Sequence, residues 1–229
     1  MYVRKIGEEE LEFGHRGWLL DESFIFYDRQ YDSLWVQATG KCIRGKFKGQ
    51  QLATMPATHT TWRQWRSLHP DTLVLAKPIS LIERYRHDSY ASYYATRRTR
   101  FGLVVFAGDE QKLYPLEMLA NSPVVHDEID GRPVLVVFHA PSETAVAFDP
   151  TFDAKRLRFE VAQVTDSDVL LRDADNDTVW SGLTGRRLSG DADVVPRIAQ
   201  LRTTQFVVAR WRQHFPNGAV FDGLARTEP

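Results

Sequence analysis

Three polar residues in the first half of the chain could take part in binding or catalysis: Gln37, Cys42 and His59. A cysteine beside a histidine can act as a nucleophile or bind a metal ion. His59 precedes a predicted helix, so it would lie near Gln37 and Cys42 if the chain folds back on itself. Trp62, at the start of that helix, is a further candidate binding residue. The alternative is that Cys42 fills a gap in the core and His59 lies at the surface.

Two histidines of the second half, His126 and His139, flank a predicted hairpin and could meet across it. Imidazole is a common metal ligand, but two histidines alone do not make a metal site. Cys42 is the only cysteine, which excludes an internal disulfide and an all-cysteine metal site. We therefore expect no metal and no other cofactor, and keep His126 and His139 as weak candidates for metal ligands.

A segment between the two halves, Glu83 to Arg100, combines aromatic and basic residues. It contains five arginines and four tyrosines, namely Tyr85, Tyr90, Tyr93 and Tyr94. Basic residues among aromatic ones can neutralise and stack on single-stranded nucleic acid. The alternative is a linker that wraps the surface, with its rings packed down and its arginines in solvent. The net charge of −1 gives no strong positive field, so we favour the linker.

The elements that would position these residues are present twice in the chain. The run SLWVQATGKCIRG, Ser33 to Gly45, recurs in spacing as TVWSGLTGRRLSG, Thr178 to Gly190, and Trp35 and Trp180 are 145 positions apart. At an offset of 145 or 146, Asp28 matches Asp173, Asp32 matches Asp177, Gly40 matches Gly185, Gly45 matches Gly190, and Trp65 matches Trp211. Repeated spacing of this kind indicates a duplicated supersecondary unit.

Each unit is predicted to contain strands followed by a short helix. The run SFIFYD, Ser23 to Asp28, is rich in aromatic and β-branched residues, which favours a strand. Thr60 to Leu68 predicts a helix that Thr60 or Thr61 caps and that ends before Pro70. "TLVL", from Thr72, predicts a closing strand. The predicted fold class is α+β, strand-dominated, with two related units from an internal duplication and short helices.

The domain organisation follows from where the repeat begins and ends. We predict a first repeat unit at 1–80 that holds only the back half, and a Tyr/Arg-rich linker at 81–100. The second unit, 101–229, is more complete, with a front half at 101–149 and the repeat at 157–221. The front half predicts strands, a short helix after Pro115 and a hairpin.

At these motifs the chain resembles an uncharacterised bacterial family, domain of unknown function 3179. The family's run of aspartate, turn and Ser-Leu-Trp-x-Gln-x-x-Gly corresponds here to Asp28 and to Ser33 through Gly40. Its run of Thr-Thr-Trp-x-x-Trp and His-Pro-x-Thr corresponds to Thr60 through Thr72. The resemblance implies no established activity. It identifies the chain as a shortened, partly degenerate member.

The resemblance also implies where this chain departs from the family. The front half of the family often carries a Trp-His-Glu-x-x-Asn-Asp run and then Cys-x-x-Cys. Here Ser122 stands at the histidine and His126 at the asparagine, while His139 and Ser142 stand at the two cysteines. Serine is a poor ligand for zinc or copper.

Partners and location are bounded by composition. The first twenty residues contain three consecutive glutamates and no apolar run, and no stretch approaches the ~18 apolar residues of a membrane span. We expect a soluble, cytoplasmic protein with no signal peptide, no membrane contact and no nucleic-acid partner.

Because the first unit lacks a front half, we expect its apolar face to be covered by the second unit, by a second copy in a homodimer, or by a related family member, in that order.

The sequence favours a non-catalytic binding or assembly module of unknown ligand. One alternative is a metal-dependent or redox enzyme that uses Cys42, His59, His126 or His139. A second alternative is single-stranded nucleic-acid binding through the linker. The sequence does not decide whether the chain is an enzyme, because no complete acid–base or metal constellation is present.

Overall fold

The computed structural model describes residues 1–74, 97–190 and 196–223. Within these ranges strands dominate and the helices are short, so the predicted fold class is confirmed. The same ranges contain no helix that is both long enough and apolar enough to cross a membrane.

The first unit is one antiparallel sheet preceded by a small ribbon. The ribbon is β1 (Lys5–Ile6) with β2 (Glu9–Glu10). The first-unit sheet runs in the order β3 (Phe13–Leu20), β4 (Ser23–Asp28), β5 (Leu34–Val36) and β6 (Cys42–Arg44). Helix α1 (Trp62–Leu68) follows, and the Thr61 side chain caps it by accepting from the N–H of Gln64. The predicted helix and its cap are thus confirmed.

The front half of the second unit supplies the two central sheets. Its elements are α2 (Arg97–Arg100), β7 (Phe101–Ala107), β8 (Glu110–Pro115), α3 (Leu116–Asn121), β9 (Val124–Ile129), β10 (Arg132–His139) and β11 (Thr144–Asp149). The predicted strand, turn, strand and helix after Pro115 are present, and β10 and β11 form the predicted hairpin.

The repeated part of the second unit follows the front half. Its ribbon is β12 (Thr151–Phe152) with β13 (Lys155–Arg156), and its sheet is β14 (Phe159–Val164), β15 (Val169–Asp173) and β16 (Val179–Ser181). Then come β17 (Ala199–Gln200), β18 (Arg202–Val207), a 3-10 turn (Val208–Arg210), α4 (Trp211–His214) and β19 (Ala219–Val220). Strands β14–β15–β16 pair in the same order as β3–β4–β5.

The two repeats also share their turn geometry. The backbone φ angle is +54° at Asp32 and +58° at Asp177, and it is +68° at Gly40 and +70° at Gly185. Gly40 N–H donates to Val36 O at 2.7 Å, and Gly185 N–H donates to Ser181 O at 2.8 Å. Left-handed conformations at matched positions are expected of one duplicated unit.

Four sheets stack face to face. The β7 sheet (β18, β7, β8, β19) and the β10 sheet (β17, β11, β10, β9) form the centre. Because successive side chains of a strand point to opposite faces, Leu103 and Val105 pack towards the β10 sheet while Val104 packs towards the first-unit sheet. On β10, Val136 faces the β7 sheet, and its neighbours Leu135 and Val137 face the β15 sheet (β14, β15, β16).

The first unit is covered by the second unit of the same chain. Ile25, Leu34 and Val36 share one buried cluster with Leu113 of β8 and Trp211 of α4. The preferred one of the three expected covers is therefore the one found. The outer face of the β7 sheet provides this cover.

The helical segment of each unit contacts the other unit across this stack. Gln64 of α1 donates from its side-chain amide to the carbonyl oxygen of Ser167, in the turn between β14 and β15. Arg210, at the position in the second unit that matches Gln64, forms an ion pair at 2.6 Å with Glu22, in the turn between β3 and β4. The helical segment of each unit, α1 in the first and the 3-10 turn before α4 in the second, thus contacts the hairpin of the other unit.

Two predictions for the first unit are wrong, and the first of them concerns its closing strand. Leu73 and Val74 form no strand, and Leu73 is 95 % exposed. The matching residues Ala219 and Val220 form β19, which pairs in parallel with β8. No strand of the described residues pairs with Leu73 and Val74 in this way. Leu75, the end of the predicted strand, lies outside the described residues.

The recurrence of Trp65 as Trp211 also predicts a core position for both tryptophans, and for Trp65 this prediction is wrong. Trp65 is only partly buried, whereas Trp211 is 1 % exposed. Trp211 packs against the rings of Phe206 and Phe215. At the matching positions the first unit has Thr60 and His69, which give less apolar surface to enclose an indole ring.

Candidate functional site

A cavity of about 410 Å³ lies between the first unit and the β7 sheet. Its wall comprises Met1, Gln37, Ala57, Thr58, His59, Phe101, Leu103, Thr203, Thr204 and Gln205. We call it the Gln205 cavity. It combines apolar residues with amide, hydroxyl and imidazole groups, which is typical of sites for small polar ligands.

The segment that carries His59 is held in place by hydrogen bonds to the second unit. Thr203 Oγ1 of β18 donates to Ala57 O at 2.9 Å, and Gln200 Nε2 of β17 donates to Thr58 Oγ1 at 3.0 Å. These bonds fix an otherwise irregular segment against β17 and β18. The ring of His59 therefore lines the same cavity as Gln205.

Gln37 reaches the cavity from the turn that follows β5. The Phe24 carbonyl accepts its backbone N–H at 2.9 Å, and the Tyr2 hydroxyl donates to its carbonyl at 2.8 Å. Burial raises the pKa of Tyr2, so this hydroxyl keeps its proton at neutral pH. The backbone of Gln37 is thus anchored on both sides.

His59 is exposed to solvent on one side. Partial desolvation lowers the pKa of its imidazole and the nearby Arg97 guanidinium lowers it further, which favours the neutral ring at pH 7. A neutral imidazole has one donor and one acceptor nitrogen. His59 therefore adds polarity to the cavity without adding charge.

Gln205 is the most unusual group of this wall. Both its Oε1 and its Nε2 are shielded from solvent, and among the described residues neither atom has a hydrogen-bond partner. Leaving a buried polar group unsatisfied costs about 1–3 kcal/mol. Gln205 matches His59 at the repeat offset of 146, so the duplication brings two equivalent positions to one cavity.

Of the four candidate binding residues in the first unit, two line this cavity and two do not. Gln37 and His59 come together there. Cys42 is 1 % exposed and packs with Trp35 and Phe47, and its Sγ donates to Arg44 O at 3.2 Å. Burial raises the pKa of its thiol, which makes it a poor nucleophile. Trp62 is 50 % exposed and belongs to neither cavity wall.

The two histidines of the front half do not meet. In the register of β9 and β10, His126 lies opposite Leu135. Leu135 is four residues before His139, so the two histidines are offset by about 13 Å along the strand. The Nε2 of His126 lies 3.0 Å from Phe159 O. Among the described residues, no group of three or more His, Cys, Asp or Glu side chains is placed to hold a metal ion.

A second cavity, of about 400 Å³, adjoins the first at His59. Its wall comprises His59, Thr60, Thr61, Arg97, Pro141, Ser142 and Glu143. We call it the Ser142 cavity. Arg97 is buried and donates to His59 O at 3.1 Å, so α2 connects the two cavities.

The sequence did not point to Gln205, Arg97 or Ser142 as a group. Gln205 is flagged only by its match to His59 in the repeat, and Ser142 only by its place in the Cys-x-x-Cys position of the resembled family. The tyrosines Tyr85, Tyr90, Tyr93 and Tyr94 of the proposed nucleic-acid segment lie outside the described residues. In the described end of that segment, Arg98 pairs with Glu143 at 3.3 Å.

Comparisons with known proteins agree with the duplication. The model of one family, described as protein of unknown function (DUF3179), matches the chain twice, at residues 1–104 and 102–228. Searches of curated proteins and of solved structures return no significant match.

Proposed function

We propose, for a chain that belongs to the DUF3179 family of proteins of unknown function, that it binds a small polar molecule in the Gln205 cavity. The observation that carries this proposal is the cavity wall, which brings Gln37, His59 and Gln205 together. The Gln205 carboxamide is shielded from the cavity solvent, and neither of its polar atoms has a hydrogen-bond partner among the described residues. A ligand towards which the Gln205 side chain turns recovers the desolvation free energy that the empty site loses.

The chemistry of the wall defines the class of ligand. The Gln205 carboxamide has one acceptor oxygen and two donor N–H groups side by side. Its complement is a group with an adjacent donor and acceptor, such as a carboxamide, a lactam or the edge of a nucleobase. His59 is neutral and Gln37 is uncharged, which favours an uncharged ligand over an ionic one.

The experiment is a ligand-induced stabilisation measurement on the full chain. Nicotinamide, uracil and cytosine serve as probes, and the thermal midpoint is recorded with and without each probe. A ligand that binds the folded state raises stability by RT ln(1 + [L]/Kd). We expect at least one of these probes to raise the midpoint in a saturable manner.

The variant Gln205→Leu gives two readouts of opposite sign. Removing the unsatisfied amide should raise the stability of the ligand-free protein by about 1–3 kcal/mol, and it should abolish the shift caused by the probe. Gln163→Leu, at an exposed position of β14, is the matched control and should change neither quantity in this way. If Gln205→Leu destabilises the protein and leaves the shift intact, the proposal is wrong.

The other functional hypotheses stay predictions. They are the metal-dependent or redox enzyme, single-stranded nucleic-acid binding, a homodimer and a cytoplasmic location. The described residues offer no observation that favours one of them over ligand binding, and Cys42 lies inside the first-unit core rather than at either cavity.

A further inference from the structure

Ser142 and His139 are in direct contact beside the Ser142 cavity. Nδ1 of His139, the last residue of β10, lies 2.7 Å from Oγ of Ser142, in the connection between β10 and β11. Ser142 lines the cavity, while His139 is fully buried behind it. A nucleophile with its base at hydrogen-bond distance is the first requirement for covalent catalysis.

The partners of His139 fix which ring nitrogen carries the proton. Nε2 lies 2.9 Å from the Thr165 carbonyl oxygen, which can only accept. Nε2 therefore carries the hydrogen of the neutral ring, and Nδ1 presents its lone pair to the Ser142 hydroxyl. The serine proton thus points at a base, as deprotonation requires.

The carbonyl that orients His139 is itself held rigidly. Thr165 N–H donates to Asp168 O at 2.9 Å, and the Asp168 N–H donates to Thr165 Oγ1 at the same distance. A third group that orients the base completes the arrangement seen in serine nucleophiles.

A line of hydroxyl groups connects Ser142 to the first unit. Ser142 Oγ lies 2.7 Å from Thr144 Oγ1, which lies 2.7 Å from Thr60 Oγ1. Because the Ser142 hydroxyl donates to His139, its oxygen accepts from the Thr144 hydroxyl. The Thr144 oxygen in turn accepts from the Thr60 hydroxyl. This line places the Ser142 lone pairs and fixes its rotamer.

An arginine and a glutamate line the same cavity. Arg97 is buried, and its guanidinium donates to His59 O at 3.1 Å. Glu143 is paired with Arg98 outside the cavity. A guanidinium in such a wall lowers the energy of an oxyanion that forms close to it.

From this geometry we propose that Ser142 is an acyl-accepting nucleophile with His139 as its base, acting on small carboxylic esters. This goes beyond ligand binding in the Gln205 cavity and does not rest on it. Neither residue was placed in this role by the sequence, which marked His139 as a weak metal candidate.

The reaction balances with water as the second substrate. Ser142 Oγ bonds to the acyl carbon of the ester, and its proton passes to His139 Nδ1. The bond from that carbon to the alkoxy oxygen breaks, and the alcohol leaves with the proton from His139. Water then attacks the acyl-serine, releasing the carboxylic acid and restoring the Ser142 hydroxyl.

The test uses the full chain, a fluorophosphonate probe and p-nitrophenyl acetate. We expect covalent labelling of Ser142, located by peptide mass spectrometry, and release of p-nitrophenolate above the buffer rate. Ser142→Ala should abolish labelling and lower the release rate by at least about 100-fold. Ser122→Ala, a serine in the same half that lies outside the cavity, should change neither.

His139→Gln separates the base from the nucleophile. Its amide can still donate to Thr165 O but is no base, so labelling should slow while Ser142 remains the labelled residue. If that variant fails to fold, the Ser142→Ala comparison still decides, since circular dichroism can establish that it folds. Wild-type protein that stays unlabelled beside a labelled serine esterase, or labelling that persists in Ser142→Ala, overturns the proposal.

Discussion

At the scale of single residues, Asp168 is a buried carboxyl with a structural task. Its Oδ1 accepts the N–H of Val169 at 2.8 Å and the N–H of Leu183 at 3.0 Å. At the matching position of the first unit, Ser23 Oγ accepts the N–H of Ala38 at 2.8 Å. Both units thus use a side-chain oxygen to close the same turn, but only the second uses an ionisable one.

Burial raises the pKa of Asp168, although several hydrogen bonds to the carboxyl partly oppose this. The folded state then holds a proton more tightly than the unfolded chain, whose Asp pKa is about 3.9. Stability from this group is therefore greatest at low pH and falls as pH rises through the raised pKa. Asp168→Asn should remove that fall, and urea unfolding between about pH 4 and pH 7 measures it.

Asp168→Ala is the companion variant. Asparagine keeps an acceptor for the two backbone N–H groups, so Asp168→Asn should stay within about 1 kcal/mol of wild type near pH 7. Alanine leaves both donors buried without an acceptor, and should cost about 2–4 kcal/mol. Equal losses in the two variants would show that the hydrogen bonds do not carry the role of Asp168.

Trp65 and Trp211 are a matched pair at equivalent positions with different burial. Trp211→Ala removes an indole enclosed by Phe206 and Phe215 and should cost about 3–5 kcal/mol. Trp65 is partly exposed, although its Nε1 donates to Thr72 Oγ1 at 2.9 Å. Trp65→Ala should therefore cost about 1–2 kcal/mol. Urea melts of both variants test the difference, and equal losses would contradict it.

At the scale of elements, the turn after β5 in the first unit and the turn after β16 in the second unit each depend on one glycine. Gly185 has a φ of +70°, and a methyl group added there would lie 2.8 Å from the Phe148 ring. Gly131 has a similar φ of +67°, but its added methyl would meet open space. The two positions share the backbone strain and differ in the steric clash.

Gly131→Ala should cost about 1–2 kcal/mol, because a side chain is disfavoured in this conformation. Gly185→Ala should cost about 1–3 kcal/mol more, because the core must also shift around Phe148. The free energy of unfolding of the two variants, measured in the same denaturant, isolates the packing contribution. A Gly185→Ala variant no less stable than Gly131→Ala would show that the turn moves freely.

Local elements could be predicted from the sequence because their causes are local. The SFIFYD strand, the Thr61 cap and the helix after Pro115 depend on residues within a few positions of one another. The environment of Trp65 could not be predicted, because it depends on which residues surround the helix after packing. The closing strand at Thr72 failed for a similar reason, since a strand needs a partner strand and the described residues supply none there.

The candidate site was predictable only in part. Gln37 and His59 are polar residues that the second repeat replaces by Gly182 and Gln205, and the structure does bring them together. Their neighbour Gln205 lies 146 residues after His59, and the two meet because Thr203 and Gln200 hold the segment before His59 against β18 and β17. The contact of His139 with Ser142 is local, but the Thr165 carbonyl that orients the ring comes from another sheet.

At the scale of the whole molecule, two related units share one continuous core. The first-unit sheet packs on the β7 sheet, and the β15 sheet packs on the β10 sheet. The helical segment of each unit binds the hairpin of the other unit. Gln64 donates to the Ser167 carbonyl, and Arg210 pairs with Glu22. The walls of both cavities draw residues from both units, so each cavity exists only while the units are packed together.

Differential scanning calorimetry of the full chain tests this shared core most directly. Units that bury their apolar faces against each other should unfold together, in one transition with equal calorimetric and van't Hoff enthalpies. Two separable transitions, with a calorimetric enthalpy well above the van't Hoff value, would show that the units fold independently and would contradict the account.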